Sequence, residues 1–360
     1  MNHKPIPYTT NIITKPIVGE VRVPADKSIS HRAIILGSLA IGDSRINNLL
    51  TGDDVIATIN AMRAMGVKIY QQDDAYVVEG NGLFSLTEPN DVINMGNSGT
   101  GVRLIAGLVS SLNMLTFFTG DCSLNARPMQ RIIEPLRQNG CQIIAREDSL
   151  LPMSLRGIKD AIPIEYTLPV ASAQVKSAIL LAGLHCEGHT IIHEPVATRD
   201  HSENMLISMG AKLISANNTI TLQGLPSLHA QHITIPADPS SAAFATIAAV
   251  LIKGSEIVIR NVGINKHRIG LYNALKQMQA NIEFDNIKEV CGEKTADISI
   301  KYSELKAINL SSENAPAMID EYPILSIAAA FAAGTSRFNG LSELRVKECD
   351  RLQAIIKGLV

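Results

Sequence analysis

The sequence predicts an α/β protein of two domains, built from a repeated unit of strand, helix, strand, helix and strands. Three observations carry this. Five stretches open alike, near Val21, Val92, Tyr166, Ile233 and Ala315, each with a short apolar lead and a polar, turn-prone knot. Each knot runs into an Ala/Leu/Ile-rich segment of helical length and closes on a Gly or polar break, usually ahead of a β-rich tail such as HTIIHEP or EIVIRNV. Between these openings lie second helices with a cleaner amphipathic pattern. The resulting period of about 70 residues is that of compact modules stacked on one another.

The elements follow in chain order. In the first unit, VRVPADKSISHR leads into AIILGSLA, and DVIATINAMRAMGVKIY supplies the amphipathic helix and its strand. The second pairs NMGNSGTGVRLIAGLVSS with PMQRIIEPLRQNGCQII, where Pro128 suits a first helical position. The third pairs VASAQVKSAILLAGL with TRDHSENMLISMGAKLI, where Asp200 suits an N-cap. The fourth opens with PADPSSAAFATIAAV, an echo of PADKSIS, and continues as HRIGLYNALKQMQANIEF. The fifth opens with APAMIDEYPILSIAAAFAA, and SELRVKECDRLQAIIKGLV begins its second helix. The apolar runs are too continuous for surface helices and are expected to be buried on most sides.

If units pack in threes, residues 24–236 form a complete domain. Residues 237–360, joined by 1–23, form a second domain that is incomplete at its C-terminus. The chain ends inside an amphipathic helix, without finishing strands, and a sixth opening is missing.

Composition narrows the function. Of 360 residues, 46% are hydrophobic and 18% charged, as in a globular protein, and the formal charge of −2 implies no broad nucleic-acid surface. Trp is absent and aromatics are few, so base-stacking platforms are not expected. The five cysteines form no CxxC pair and read as reduced thiols. No signal peptide is evident and the apolar runs are too short or interrupted to span a bilayer, so a cytoplasmic protein is expected.

The knots differ where mere turns would not. Lys27, Ser28 and Arg32 open a buried helix, where free N–H groups and the helix dipole favour an anion; a solvated helix start with surface basics is the bland alternative. Around Asn97 and Gly99 the Gly-rich turn permits close backbone approach, although its spacing is not that of a P-loop. Arg127, Ser172, Gln174 and Arg199 lie at or near other helix starts. Asp320 opens the fifth run, and Lys347, Glu348 and Arg351 crowd into RVKECDRL, which an internal ion pair also explains. If these starts converge, the cleft suits phosphorylated or carboxylated small substrates and an acid–base step.

PADKSISHR, GNSGTGVRL, RPMQR, SAQVKSA, TRDHSE and RVKECDRL, in this order over essentially the whole chain, resemble the EPSP synthases of the enolpyruvyl transferase family. The resemblance implies an inside-out α/β barrel, or prism, of two domains. Each domain would hold three βαβαββ units with helices inside and sheets outside, so about five of six units are present here. It implies transfer of the enolpyruvyl group of phosphoenolpyruvate to the 5-hydroxyl of shikimate 3-phosphate, in aromatic amino-acid biosynthesis, by a monomer with no cofactor or metal. Lys27, Ser28, Arg32, Ser172, Ala173, Gln174, Arg199, Asp320 and Lys347 would then bind shikimate 3-phosphate. Lys27, Asn97, Gly99, Arg127, Gln174, Glu348 and Arg351 would bind phosphoenolpyruvate, with Asp320, Glu348 and Lys27 catalytic. Two departures stand out. Cys122, in DCSLNARP, sits where the sister UDP-N-acetylglucosamine enolpyruvyl transferases carry a reactive Cys, which makes transfer to a UDP-sugar the runner-up. The family's C-terminal Asp-His-Arg-Ile-Ala motif and later Lys do not occur, so an inactive truncated fragment is the other alternative.

Overall fold

The computed structural model describes Ile13 and residues 15–360, and the repeat is visible in it unit by unit. The first unit comprises β1 (Val18–Val21), α1 (Lys27–Leu39), β2 (Ile41–Asn47), α2 (Asp53–Ala64), β3 (Lys68–Gln72) and β4 (Ala75–Asn81). The second comprises β5 (Ile93–Asn94), α3 (Gly99–Ser110), β6 (Leu115–Thr119), a short α4 (Cys122–Asn125), α5 (Gln130–Gln138), β7 (Gln142–Arg146) and β8 (Leu150–Arg156). The third comprises β9 (Glu165–Thr167), α6 (Ala173–Gly183), β10 (His189–His193), α7 (His201–Ser208), β11 (Leu213–Ala216) and β12 (Thr219–Gln223). The fourth comprises β13 (His232–Thr234), α8 (Pro239–Leu251), β14 (Glu256–Gly263), α9 (Gly270–Gln277), β15 (Asn281–Val290) and β16 (Glu293–Lys301). The fifth comprises β17 (Asn309–Leu310), α10 (Tyr322–Ala330), β18 (Arg337–Phe338) and α11 (Arg351–Leu359). Its second helix therefore starts at Arg351; the SELRV stretch ahead of it is a 3-10 turn, Ser342–Val346.

Four sheets share one plan: a parallel pair, then two antiparallel partners. Their orders are β13-β2-β4-β3, β5-β6-β8-β7, β9-β10-β12-β11 and β1-β14-β16-β15. The parallel partners in the first and last are exchanged along the chain. β1 lies beside β14, pairing Val18 with Glu256, whereas β13 lies beside β2, pairing His232 with Arg45. Hydrophobic contact accordingly forms two cores. One runs from Ala25 to Ile235; the other begins at Ala237 and takes in Ile17, Val21 and Val23.

The apolar helices fill the interior. In α1 every residue from Ile29 to Leu39 is buried, and α3 packs against both α1 and α6. Gly107 permits that last contact, since a Cβ there would lie 2.3 Å from the Ala178 carbonyl oxygen. The fifth apolar run departs from expectation. In α10 only Tyr322, Leu325 and Ala328 are buried, and Pro323, Ile324, Ser326, Ile327 and Ala329 are half-buried. Pro128 also falls short of a helix: α5 starts at Gln130 with Met129 as its cap. Asp200 makes no cap bond; its Oδ1 accepts from the side-chain amides of Asn204 and Asn265. Among the described residues no helix is long and apolar enough to cross a membrane.

The two PAD sequences meet where the chain passes between the cores. Ala25 and Ala237 form an antiparallel bridge; Asp26 N donates to Pro236 O and Asp238 N to Pro24 O, both at 2.8 Å. Each Asp also caps the helix that follows, Asp26 accepting from Ile29 N at 2.9 Å and Asp238 from Ser240 N at 2.8 Å. Arg268, only 3% exposed, joins the caps through Nη1 to Asp26 Oδ2 at 3.1 Å and Nη2 to Asp238 Oδ1 at 3.0 Å. Burial alone would raise the Asp26 carboxyl, but the guanidinium overcomes this and holds it below its usual value.

Two predictions follow from the buried polar groups. Arg268→Met strands two carboxylates in the interior and is expected to lower stability by about 3–5 kcal/mol, read from the urea midpoint, with Arg268→Lys falling between. A parent-like midpoint for Arg268→Met would show that the clasp contributes nothing. The second concerns His31, fully buried with Nδ1 2.8 Å from Thr58 Oγ1 and pushed down to about 3 by burial, then by Lys27 and Arg32. Its native pKa lies below the unfolded value, so the unfolded chain takes up a proton that the native state refuses. The stabilisation is complete above the unfolded value and declines, by about 1.4 kcal/mol per pH unit, as pH falls toward 3. His185, pushed down to about 4 by burial, acts in the same sense. Urea midpoints at pH 7 and pH 5 measure the decline, which His31→Asn is expected to flatten.

Candidate active site

The helix starts of the first three units adjoin one another. Ser98 caps α3 by accepting from Gly101 N, and Ser172 caps α6 by accepting from Val175 N. Gln174, in the first turn of α6, reaches α3: its Nε2 donates to Thr100 Oγ1 at 2.9 Å, and its Oε1 accepts from Arg103 at 3.0 Å. Arg32, one turn into α1, donates to Ser28 O at 2.8 Å and to the Ser177 and Ser202 hydroxyls, each at 2.7 Å. It therefore ties α1 to α6 and α7. Burial lowers its pKa to about 10, leaving it charged at neutral pH. The Ser177 hydroxyl in turn donates to Ala173 O at 2.7 Å.

Arg127 precedes α5 and donates to Asn97 Oδ1 and Ser123 Oγ. Among the described residues it has no carboxylate partner, and its Nε is buried and unpaired. Gly99 lies beneath two cations: a Cβ there would be 3.0 Å from Nη1 of both Arg103 and Arg127. Lys27 stands apart, exposed and paired with Asp54 at 3.1 Å.

Facing these groups is the fifth unit. Asp320, just before α10, accepts from Arg199 at 2.6 Å and from Arg351 at 2.9 Å. The first contact spans the two cores, as does Arg131 with Glu343 at 3.2 Å. Burial would raise the Asp320 carboxyl, yet the two guanidiniums hold it well below the usual carboxylate range. Glu348 receives both Nε and Nη2 of Arg351, at 3.0 and 2.9 Å. Burial again opposes ionisation there, but its own backbone N–H, Arg351 and Arg127 lower the pKa. Lys347 is lowered by burial, with Arg351 and Arg199 adding to the effect. Beside Asp320, Glu321 is buried and raised by burial; its Oε1 accepts from Ser240 Oγ and its Oε2 has no partner.

The cations of the first three units thus lie opposite two ionised carboxylates of the fifth. Such an arrangement can hold anions and move protons. Arg103 carries no role in the sequence reading. Its signal was faint, since an Arg one turn inside a helix is ordinary, and only the fold brings it to Gln174. Glu321 is legible as an acid opening the fifth run beside Asp320, whereas Ser240 escaped, since only the fold brings it to Glu321 and Arg268. Cys122 is exposed at the start of α4.

Comparison with known proteins shows the family. The family model of EPSP synthase (3-phosphoshikimate 1-carboxyvinyltransferase) matches residues 12–360. A 3-phosphoshikimate 1-carboxyvinyltransferase of Paramagnetospirillum magneticum is 50% identical over 350 residues, covering 96% of this chain and 78% of that protein. One from Zymomonas mobilis is 51% identical over 349 residues, covering 96% and 77%. The EPSP synthase structure from Acinetobacter baumannii superposes with a TM-score of 0.87 at 43% identity, over 95% of this chain and 78% of that one. The enolpyruvyl transferase NikO of Streptomyces tendae shares the fold, with a TM-score of 0.68 at 18% identity over 89% and 74%. The repeated units and the two-domain inside-out barrel are those of the Acinetobacter baumannii structure, and the chain belongs to the EPSP synthase family.

Proposed function

We propose that this chain transfers the enolpyruvyl group of phosphoenolpyruvate to the 5-hydroxyl of shikimate 3-phosphate, with the residues named from its sequence as the site. Residues 24–236 act as one domain, and 1–23 with 237–360 as the other. The observation that carries the reading is the Arg199–Asp320 contact of 2.6 Å, which joins the anion-binding half to the acid–base half.

Ser28, Arg32, Ser172, Ala173, Gln174, Arg199 and Lys347 hold the phosphate, ring and carboxylate of the acceptor. Asn97, Gly99, Arg127 and Arg351 line the side that takes phosphoenolpyruvate, and Lys27 and Gln174 serve both substrates. Asp320, ionised beside two guanidiniums, takes the proton of the 5-hydroxyl as that oxygen attacks C2. Glu348 gives a proton to C3, and the O5–C2 bond closes a tetrahedral intermediate. When Glu348 takes a proton back from C3, the C2–O bond to phosphate breaks, and the proton on Asp320 leaves with the phosphate.

The Arg351–Glu348 pair explains how a carboxylate that is ionised in the free protein becomes an acid. An incoming phosphoenolpyruvate anion competes for Arg351. As Glu348 loses that neutralising partner, its proton affinity rises when it is needed. The fixed cations and helix starts stabilise charge throughout, with no reorganisation at the reacting centre.

Phosphate release by chain 1–360 with both substrates tests this, with UDP-N-acetylglucosamine as control acceptor. Asp320→Asn and Glu348→Gln are each expected to lower kcat by roughly 10²–10⁴-fold with little change in melting temperature. Release with the UDP-sugar alone refutes the substrate assignment. A separate expectation concerns Gly99→Ala, whose methyl would meet both guanidiniums at 3.0 Å. The change should weaken phosphoenolpyruvate binding in calorimetry by about tenfold while sparing shikimate 3-phosphate. Equal loss for both ligands would contradict it.

A further inference from the structure

We propose that Arg103 is a positioning residue that fixes which way the Gln174 amide faces, and so which of its atoms is offered to the ligand. The inference rests on the assignment of Gln174 to the binding site.

The argument begins with donor chemistry. A guanidinium only donates, so the Gln174 atom facing Arg103 Nη1 at 3.0 Å must be the amide oxygen. The nitrogen is thereby turned to Thr100, whose hydroxyl accepts from Nε2 at 2.9 Å. A hydroxyl accepts or donates equally well, so Thr100 alone leaves both amide orientations open, and Arg103 removes one. In the orientation that remains, Nε2 keeps a second N–H to donate. An anion or a ligand oxygen needs that donor, and the flipped amide would present a repelling carbonyl.

Arg103 is itself held firmly. The Nη1 group also donates to Gly99 O at 3.0 Å, and Nη2 donates to Pro128 O at 3.2 Å. It therefore joins the start of α3, the start of α6 and the turn carrying Arg127. All three acceptors are neutral, and among the described residues no carboxylate pairs with Arg103. Burial, then Arg127 and Arg131, lowers its pKa to about 10, so it remains cationic at neutral pH. A half-buried cation without a counter-ion among the described residues carries a desolvation cost, and a ligand anion beside Arg127 would relieve it.

A double-mutant cycle on phosphoenolpyruvate affinity separates this role from simple charge. Calorimetry with saturating shikimate 3-phosphate reads binding whether or not turnover occurs. Gln174→Ala is expected to weaken binding about tenfold in the parent protein. In an Arg103→Met background the same change should cost less than about twofold, because the amide is already free to turn. An equal factor in both backgrounds overturns the proposal and leaves Arg103 as a distant charge. No effect of Gln174→Ala in the parent protein overturns the assignment of Gln174, and the proposal with it. Should Arg103→Met not fold, Arg103→Gln gives the same cycle, since an amide can donate or accept and leaves both orientations of Gln174 open. In nitrogen-labelled protein, the Gln174 side-chain amide nitrogen and proton shifts should move in the Arg103 variant toward those of a free glutamine amide, because the oxygen loses its fixed donor and the nitrogen its fixed acceptor. Unchanged shifts also overturn the proposal.

Discussion

The molecule depends on one buried cation between two carboxylates. Where the chain crosses between its cores, each strand needs an end, each following helix needs a cap, and the pair needs to be fastened. Asp26 and Asp238 meet the first two needs alike, and Arg268 meets the third for both. Both carboxylates and both terminal guanidinium nitrogens are hydrogen-bonded, which favours keeping these charges in an interior, while Arg268 Nε has no partner among the described residues. The arrangement is nearly two-fold symmetric because the two sequences are nearly the same, PADKS and PADPS.

Function enters where that symmetry breaks. After the cap, one copy continues with Lys27 and Ser28, and Arg32 follows a turn later. The other has Pro239, Ser240 and apolar sequence. Ser240 is nonetheless used. It accepts from Arg268 at 2.8 Å and donates to Glu321, the neighbour of Asp320. The contacts that fasten the crossing thus continue to the start of α10, where Arg199 arrives from the other core. Asp320 is therefore positioned from both sides: its backbone through the clasp, its carboxylate through Arg199 and Arg351.

Much of this was legible beforehand because the period is strong. The five openings near Val21, Val92, Tyr166, Ile233 and Ala315 precede five apolar helices, and the amphipathic helices fall between them. Helix starts are readable from local chemistry, since Ser98 and Ser172 cap as their positions suggest. The misreadings arose where local preference met tertiary contact. Pro128 suits a first helical turn, but Met129 N donates to Ser149 O at 2.6 Å, so the helix starts later. Asp200 suits a cap, but Asn265 draws its carboxylate away at 2.6 Å. The continuous apolar pattern of α10 predicted burial all round. Pattern describes what a helix can bury, whereas burial also needs close neighbours on each face, and Pro323, Ile324, Ser326, Ile327 and Ala329 of α10 are only half-buried.

The charges of the candidate site were legible in the sequence and their pairings were not. Cations and carboxylates at helix starts stand out in a chain that is only 18% charged. Which cation answers which carboxylate is a matter of folding, and it decides the chemistry. Arg351 could have been a solvated partner of Glu348 within one charged segment. Its contact with Asp320 at 2.9 Å makes it a shared counter-ion of two carboxylates instead. A shared counter-ion couples them: drawing Arg351 toward an anion raises the proton affinity of both, but unequally, because Asp320 retains Arg199, whereas among the described residues Glu348 has no second guanidinium in hydrogen-bond contact. In the proposed reaction, the same displacement would leave Asp320 a base and turn Glu348 into an acid, two like groups taking opposite roles from the number of cations each keeps.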